Sequence, residues 1–218
     1  MHTVIAIDGP SGVGKGTVAR ALAAALGYRH VDTGAMYRAV AWRAQQLGVD
    51  LDNEAAVVDV ARAAVLEVDG SRVVIDGTDV SAAIRTPDID RATTRVARLP
   101  RVRAELVARQ RALAERGPLV MEGRDIGTVI MPEAQIKIFL TAKPESRADR
   151  RMSDIKAAGQ EKDYNELLDE IRRRDDQDTQ REACPLRPAE DAILLDNSKM
   201  DLEQTAAFII DIAKKKGY

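Results

Sequence analysis

Nine consecutive residues of this 218-residue chain, Gly9-Pro10-Ser11-Gly12-Val13-Gly14-Lys15-Gly16-Thr17, have the types and spacing to handle a polyanion. An apolar run, Val4 to Ile7, leads into them, and a helical pattern with Val18, Leu22 and Leu26 on one face leads out to a stop at Gly27. Glycines let the backbone bend and turn its N–H groups inward, the helix that follows offers its positive end, and Lys15 adds a mobile cation. The segment therefore reads as a phosphate cradle. Lys15 is expected to stand largely in solvent until an anion arrives, and the Thr17 hydroxyl suits Mg²⁺. The stretch departs from G-x-x-x-x-G-K-[ST] in having Gly16 where a hydroxyl residue is expected, with Thr17 one place later. A plain glycine-rich turn is the bland alternative, and a strand before and a helix after argue against it.

Three further clusters could do chemistry. In Asp32-Thr33-Gly34-Ala35-Met36-Tyr37-Arg38, a helix opens with apolar positions at Met36, Val40, Ala44 and Leu47. Thr33 and Arg38 there could receive a phosphate or a base edge, or Thr33 could simply be an N-cap. In Leu119 to Thr128, an apolar strand ends in Glu122, Arg124 and Asp125 between glycines. Glu122 could organise Mg²⁺ through water, Arg124 could grip a phosphate, and Asp125 could accept from an amino group, with a solvated turn as the alternative. A helix beginning at the capping-box-like Asp163-Tyr164-Asn165-Glu166 carries Arg174, Asp178 and Arg181 at spacings that share one face if the helix persists that far. Alone, that would be a surface salt-bridge ladder.

Strands must hold these clusters in place. Apolar runs near 3–8, 118–122, 135–140 and 192–196, with a shorter one at 28–31, alternate with helical stretches. That rhythm predicts a three-layer α/β/α sandwich on a mostly five-stranded parallel sheet, with ligands beyond the carboxyl ends of the strands. From Val65 to Val80 the rhythm breaks. Short β-branched stretches with Asp69-Gly70 and Asp76-Gly77 predict a small antiparallel meander, within a segment placed at 63–86. Arg147, Arg150 and Arg151 lie in a helical stretch before a polar segment, 153–163, expected to form a short lid within 150–165.

Composition fits one globular domain spanning 1–218 with these insertions, at 45% hydrophobic and 31% charged residues. No apolar run approaches the length of a membrane span and no cationic-apolar leader opens the chain, so a soluble cytoplasmic protein is expected. A single cysteine, Cys184, excludes an intrachain disulfide, and two histidines are too few for a His-rich metal site. A net charge of −2 and an aromatic content of 3% argue against a nucleic-acid surface, although arginine outnumbers lysine 24 to 9.

Together IDGPSGVGKGT, DTGAMYR, IRT, RVR, GRDIGT and RRRDDQDTQR resemble the bacterial cytidylate kinase family, within the nucleoside monophosphate kinases, over nearly the whole chain. The resemblance implies a P-loop kinase fold and transfer of a phosphoryl group from ATP to CMP, and to dCMP, by a monomer. It implies that Gly12, Gly14, Lys15, Gly16 and Thr17 hold the ATP phosphates and Mg²⁺, and that Arg38, Arg124 and Arg181 gather the acceptor phosphate. Thr33, Arg103 and Asp125 would read cytosine, Thr94 and Asp178 would meet the sugar, and Arg174 would complete the acceptor site. Arg147 and Arg151 would serve catalysis, and the 63–86 meander would help bind nucleotide. Serine is common in the family where this chain has Thr33 and Thr94, so each hydroxyl is kept with a methyl group added. A different small-molecule kinase on the same fold, or a nucleotide-gated binding module, are the competing readings.

Overall fold

The computed structural model describes residues 2–157, 159–181 and 184–218. Ala158, inside the expected lid, lies outside them. In chain order the elements are β1 (Val4–Asp8), α1 (Lys15–Leu26), β2 (Arg29–Asp32), α2 (Thr33–Gln46), α3 (Glu54–Ala63), β3 (Leu66–Asp69), β4 (Arg72–Ile75) and β5 (Thr78–Asp79). There follow α4 (Pro87–Val96), α5 (Pro100–Ala114), β6 (Leu119–Gly123), a π-helical turn (Ile126–Ile130), β7 (Ile136–Thr141), α6 (Pro144–Ala157), α7 (Tyr164–Thr179), β8 (Ile193–Asp196) and α8 (Leu202–Lys215).

Five strands form one parallel sheet in the order β2-β6-β1-β7-β8. Every position of β1 and β6 is buried, as central parallel strands covered on both faces require. Alternation divides their side chains between two cores. Ile5 and Ile7 meet Leu22 of α1 and Ile209 of α8, whereas Val4 and Ala6 meet Met36 and Val40 of α2, Val58 of α3 and Leu106 of α5. Because the chain leaves β1 for β2 on one side and reaches β7 on the other, a crevice opens at the carboxyl end of β1, where ligands of such sheets bind.

All five expected strands are present at nearly the expected limits. Val18 and Leu22 are buried, and Gly27 ends α1 in the left-handed conformation while N–H groups at the cap reach Ala23 and Ala24. On α2, Met36, Val40 and Ala44 are buried, but Leu47 lies past the last turn and is exposed.

Between α3 and α4, β3, β4 and β5 form an antiparallel three-stranded sheet. Asp76 and Gly77 both have positive φ, 50° and 77°, as a two-residue hairpin turn of the primed kind requires. The first turn is Gly70-Ser71 rather than Asp69-Gly70, because Asp69 still pairs with Arg72. Gly70 donates its N–H to the carbonyl of His30 at 3.2 Å, which ties this sheet to the edge of β2.

Candidate active site

The phosphate loop is bent by sterics as much as by sequence preference. Gly9 has φ 149°, and a Cβ there would lie 2.0 Å from the Leu140 carbonyl oxygen of β7. Gly14, the N-cap of α1, has φ 89°, and a Cβ would strike Leu202 at 2.2 Å. Only glycine fits either place. The loop opens into a cleft of about 380 Å³ lined by Ser11, Gly12, Gly14, Lys15, Gly16 and Thr17. Gly9, Pro10 and Val13 do not line it. Val13 is fully buried, and Gly9 and Pro10 act through their carbonyls.

Those carbonyls overturn the expectation of a solvent-exposed Lys15. Its Nζ donates to Gly9 O at 2.8 Å and Pro10 O at 2.7 Å, and the residue is only 6% exposed. Burial, with Arg124 nearby, pushes the ammonium down to about 7, against the pull of Glu122, Asp178 and Asp8.

Opposite the loop, four elements converge. Thr33 is not the cap of α2. Asp32 caps it by accepting from Ala35 N at 3.0 Å, while the Thr33 hydroxyl donates to the Glu122 carbonyl at 2.7 Å. Arg38, one turn on, pairs with Asp90 at 3.0 Å. From α5, Arg103 forms a buried ion pair with Asp125 and lies 5.8 Å from the ring centre of Tyr37. From α7, Asp178, 3% exposed, accepts from Arg124 at 2.7 Å and pairs with Arg181. Burial pushes the Asp178 carboxyl up, but Arg124 and Arg181 together hold it below the usual carboxylate range. The helix ends at Thr179, so Arg181 reaches Asp178 from just beyond it rather than from a continuous face. Arg174 faces the same cleft and has no hydrogen-bond or ion-pair partner among the described residues. Burial and the neighbouring Arg124 push its guanidinium down.

GRDIGT is neither a simple strand end nor a solvated turn. Ile130 and Met131 donate to carbonyls five residues back, Asp125 and Ile126, which makes the segment π-helical. Its first N–H groups are satisfied by Asp8 of β1, whose two carboxylate oxygens accept from Ile126 and Gly127, each at 2.8 Å. Burial raises the Asp8 carboxyl to about 6, opposed by these two bonds. Asp8 is a further residue of the site, for which a carboxylate ending a buried strand is the only signal in the sequence.

Two further expected residues, beyond those of the loop, stand outside the cleft. Thr94 turns back to the Asp90 carbonyl at 3.1 Å on α4, and its neighbour Thr93 lines the cleft instead. Arg147 does not line it either. It is 2% exposed and donates to the carbonyls of Ala142 and Ser11 and to Asp175. Arg150 is likewise held by Asn197 and Met200 O, whereas Arg151 faces the cleft. Also unforeseen are Arg85, from the quoted IRT, which pairs with Asp32 at 3.3 Å, and Arg20, which donates to the Thr17 hydroxyl at 3.4 Å.

For a divalent cation the available donors are all oxygens. A Cβ on Gly16 would stand 3.0 Å from Glu122 Oε1, so the Glu122 carboxylate lies against the end of the loop that presents Thr17. A hydroxyl and a carboxylate, with phosphate and water to complete the shell, fit Mg²⁺.

The profile of the family described as cytidylate kinase matches residues 5–215. A cytidylate kinase from Pseudomonas paraeruginosa is 47% identical over 221 residues, covering 99% of this chain and 96% of that protein. One from Pelotomaculum thermopropionicum is 49% identical, covering 94% of this chain and 93% of its own. A crystal structure of an uncharacterised protein from Eubacterium ventriosum superposes with a TM-score of 0.57 over 99% of each chain at 15% identity, a likeness of fold alone. With the profile matched from β1 to α8 and nearly half the residues shared with relatives of two genera, this chain belongs to the cytidylate kinase family.

Proposed function

We propose that the cleft between the phosphate loop and the Arg103, Arg124 and Asp178 groups is where this chain does its work. The protein transfers the γ-phosphoryl group of ATP to CMP, giving ADP and CDP. The observation that carries our assignment of residues is the convergence, in one cleft, of a phosphate loop with Arg38, Arg124, Arg174 and Arg181 on the opposite wall.

The acceptor needs no protein base. A phosphate monoester with a second pKa of about 6 is mostly dianionic at neutral pH, so its oxygen can attack the γ-phosphorus directly as ADP leaves. What opposes the reaction is repulsion between two polyanions. Lys15 and the backbone N–H groups of Gly12 to Thr17 would hold the donor phosphates, and Arg38, Arg124 and Arg181 the acceptor phosphate, with Arg174 beside them. Arg124 and Arg181 are kept in register by Asp178, which would also accept from a sugar hydroxyl. Asp125 and Arg103, with the Thr33 hydroxyl close by, would read the base, and Thr93 rather than Thr94 is the α4 threonine that lines the cleft and so the one able to meet the sugar. Thr17 and, through water, Glu122 would hold Mg²⁺. When bound, that cation neutralises charge on the donor phosphates.

We extend the acceptor to dCMP, since the groups assigned to base and phosphate are indifferent to one sugar hydroxyl. The donor-side loop and the acceptor-side arginines assigned here are complete within a single copy, so we assign the action to a monomer, and no described helix is long and apolar enough to cross a membrane. We assign the 63–86 segment to the acceptor side, because its Arg85 reaches Asp32 at the mouth of the cleft. The described residues of 150–165, which run from the second half of α6 through the connection to the first residues of α7 and include Arg151, are assigned the lid, whose closure would exclude water. An ADP-release assay with CMP, dCMP, UMP, AMP and shikimate tests the assignment. Release should be strong with CMP and dCMP, and equal release with shikimate would overturn it.

A further inference from the structure

Beside Glu122 lies a residue with no part in the account above. β2 and β6 are adjacent parallel strands with His30 opposite Val120 and Asp32 opposite Glu122. Residues two apart on a strand share a face, so His30 and Glu122 both leave the sheet on the side covered by α1. There His30, 5% exposed, meets Glu122, 7% exposed, with Nε2 3.0 Å from Oε1. Its other nitrogen, Nδ1, is buried with no hydrogen-bond partner among the described residues.

The unpartnered nitrogen fixes the direction of the bond. A buried N–H with no acceptor is rarer and costlier than a bare acceptor lone pair. The ring proton therefore belongs on Nε2, which donates to Oε1. An apolar side chain would fill this place on the strand without burying an unpartnered ring nitrogen, so packing alone does not call for imidazole. What imidazole adds is a donor that fixes a long, otherwise rotatable carboxylate against Gly16 at the end of the phosphate loop. The backbone of His30 is itself anchored, since its carbonyl accepts from Gly70.

We infer that His30 is a positioning residue for Glu122: it orients the carboxylate that holds the divalent cation through water, and so sets the protein's affinity for the metal-nucleotide complex without touching either. This rests on the metal assignment made above for Glu122.

Calorimetric titration of ADP, once in EDTA and once in saturating Mg²⁺, isolates the effect, because the ratio of the two affinities reports the metal alone. In His30→Leu the Mg²⁺-dependent gain should fall by about three- to tenfold, less than the loss expected when the partner of a direct ligand is removed. Affinity in EDTA should stay within about twofold of the parent, which also certifies the fold. His30→Gln, whose amide can donate from a similar place, should recover most of the gain. An unchanged ratio in His30→Leu, an equal loss in His30→Gln, or a loss of metal-free ADP binding would each overturn the inference in favour of packing. Glu122→Gln separates the two levels. If it leaves the Mg²⁺ gain intact, the metal assignment falls and His30 with it, whereas a loss in Glu122→Gln with none in His30→Leu rejects His30 alone.

Discussion

Arg147 of α6 joins Asp175 of α7 to the phosphate loop: its Nη1 lies 2.8 Å from the Asp175 carboxylate and 3.0 Å from the Ser11 carbonyl. A guanidinium expected to serve the reaction is thus a buried brace between two helices and the loop. Removing it strands a carboxylate and two carbonyls, and breaking a buried charged pair costs about 3–5 kcal/mol. Arg147→Ala should therefore lower Tm by roughly 6–20 °C in a chain of this size. Arg151→Ala, which loses an exposed cleft residue, should hold Tm within about 2 °C while slowing transfer. Equal melting temperatures for the two variants would return Arg147 to a purely catalytic role.

Lys15 predicts a proton signature. In the free protein its ammonium titrates near 7, whereas phosphates bound beside it favour the charged form. At pH 8 the free side chain is about nine-tenths neutral, so ADP binding should take up close to one proton, and less as pH falls towards 6. Titrations in buffers of different ionisation enthalpy read this number directly, and Lys15→Met should abolish it. The same shift makes stability rise with pH, because between about 7 and the unfolded value of 10.5 the folded chain binds fewer protons than the unfolded one. Lys15→Met should flatten that rise and reduce turnover by about 10²-fold or more. Undiminished uptake in the variant would place the titrating group elsewhere.

Asp178 works in the opposite sense. Its carboxyl is held below the usual range, so its pairs with Arg124 and Arg181 stabilise the fold above that range and are lost as pH falls through the depressed value. Asp178→Asn should be less stable than the parent at pH 7, with the gap closing towards pH 3. It should also raise the KM for CMP about tenfold, because the two arginines lose their register, while the KM for ATP stays within about twofold. A lower Tm with unchanged CMP kinetics would mean that the trio is only a salt-bridge ladder.

The strands were legible because each is a short apolar run bounded by turn residues, and the phosphate loop because its glycines answer to backbone geometry. Legibility failed where side-chain direction decides. Nothing in the spacing of Thr93 and Thr94 says which hydroxyl faces the cleft, since both bond back to α4 carbonyls and differ only by the helix's rotation. Arg147, Arg150 and Arg151 are interchangeable by composition, yet two are held by buried carbonyls and one is free to face the cleft. Asp8 and His30 are not legible in the sequence because each acts through a neighbour over 90 residues away, Asp8 on Ile126 and His30 on Glu122. Only strand order brings such pairs together.

The choice between CMP and UMP should turn on Asp125. Cytosine offers an amino donor at position 4 where uracil offers a carbonyl acceptor, and a carboxylate satisfies the first and repels the second. In the free protein that carboxylate is buried and paired with Arg103. Arg103 occupies part of that carboxylate, which still has lone pairs to accept from an incoming amino group as well. Mismatching one such contact in a water-poor pocket costs about 1–3 kcal/mol, so wild type should favour CMP over UMP by about five- to 150-fold. Asp125→Ala removes the acceptor and also leaves Arg103 without its counter-ion, a donor that the uracil carbonyl can use and the cytosine amino group cannot. The variant should therefore lose efficiency with CMP much more than with UMP, and the ratio should approach or cross unity, with ATP affinity nearly unchanged. Measuring kcat/KM for both acceptors at one Mg²⁺ concentration, in wild type, Asp125→Ala and Arg103→Met, decides it. If the ratio survives Asp125→Ala but collapses in Arg103→Met, the guanidinium reads the base and the carboxylate merely holds it in place.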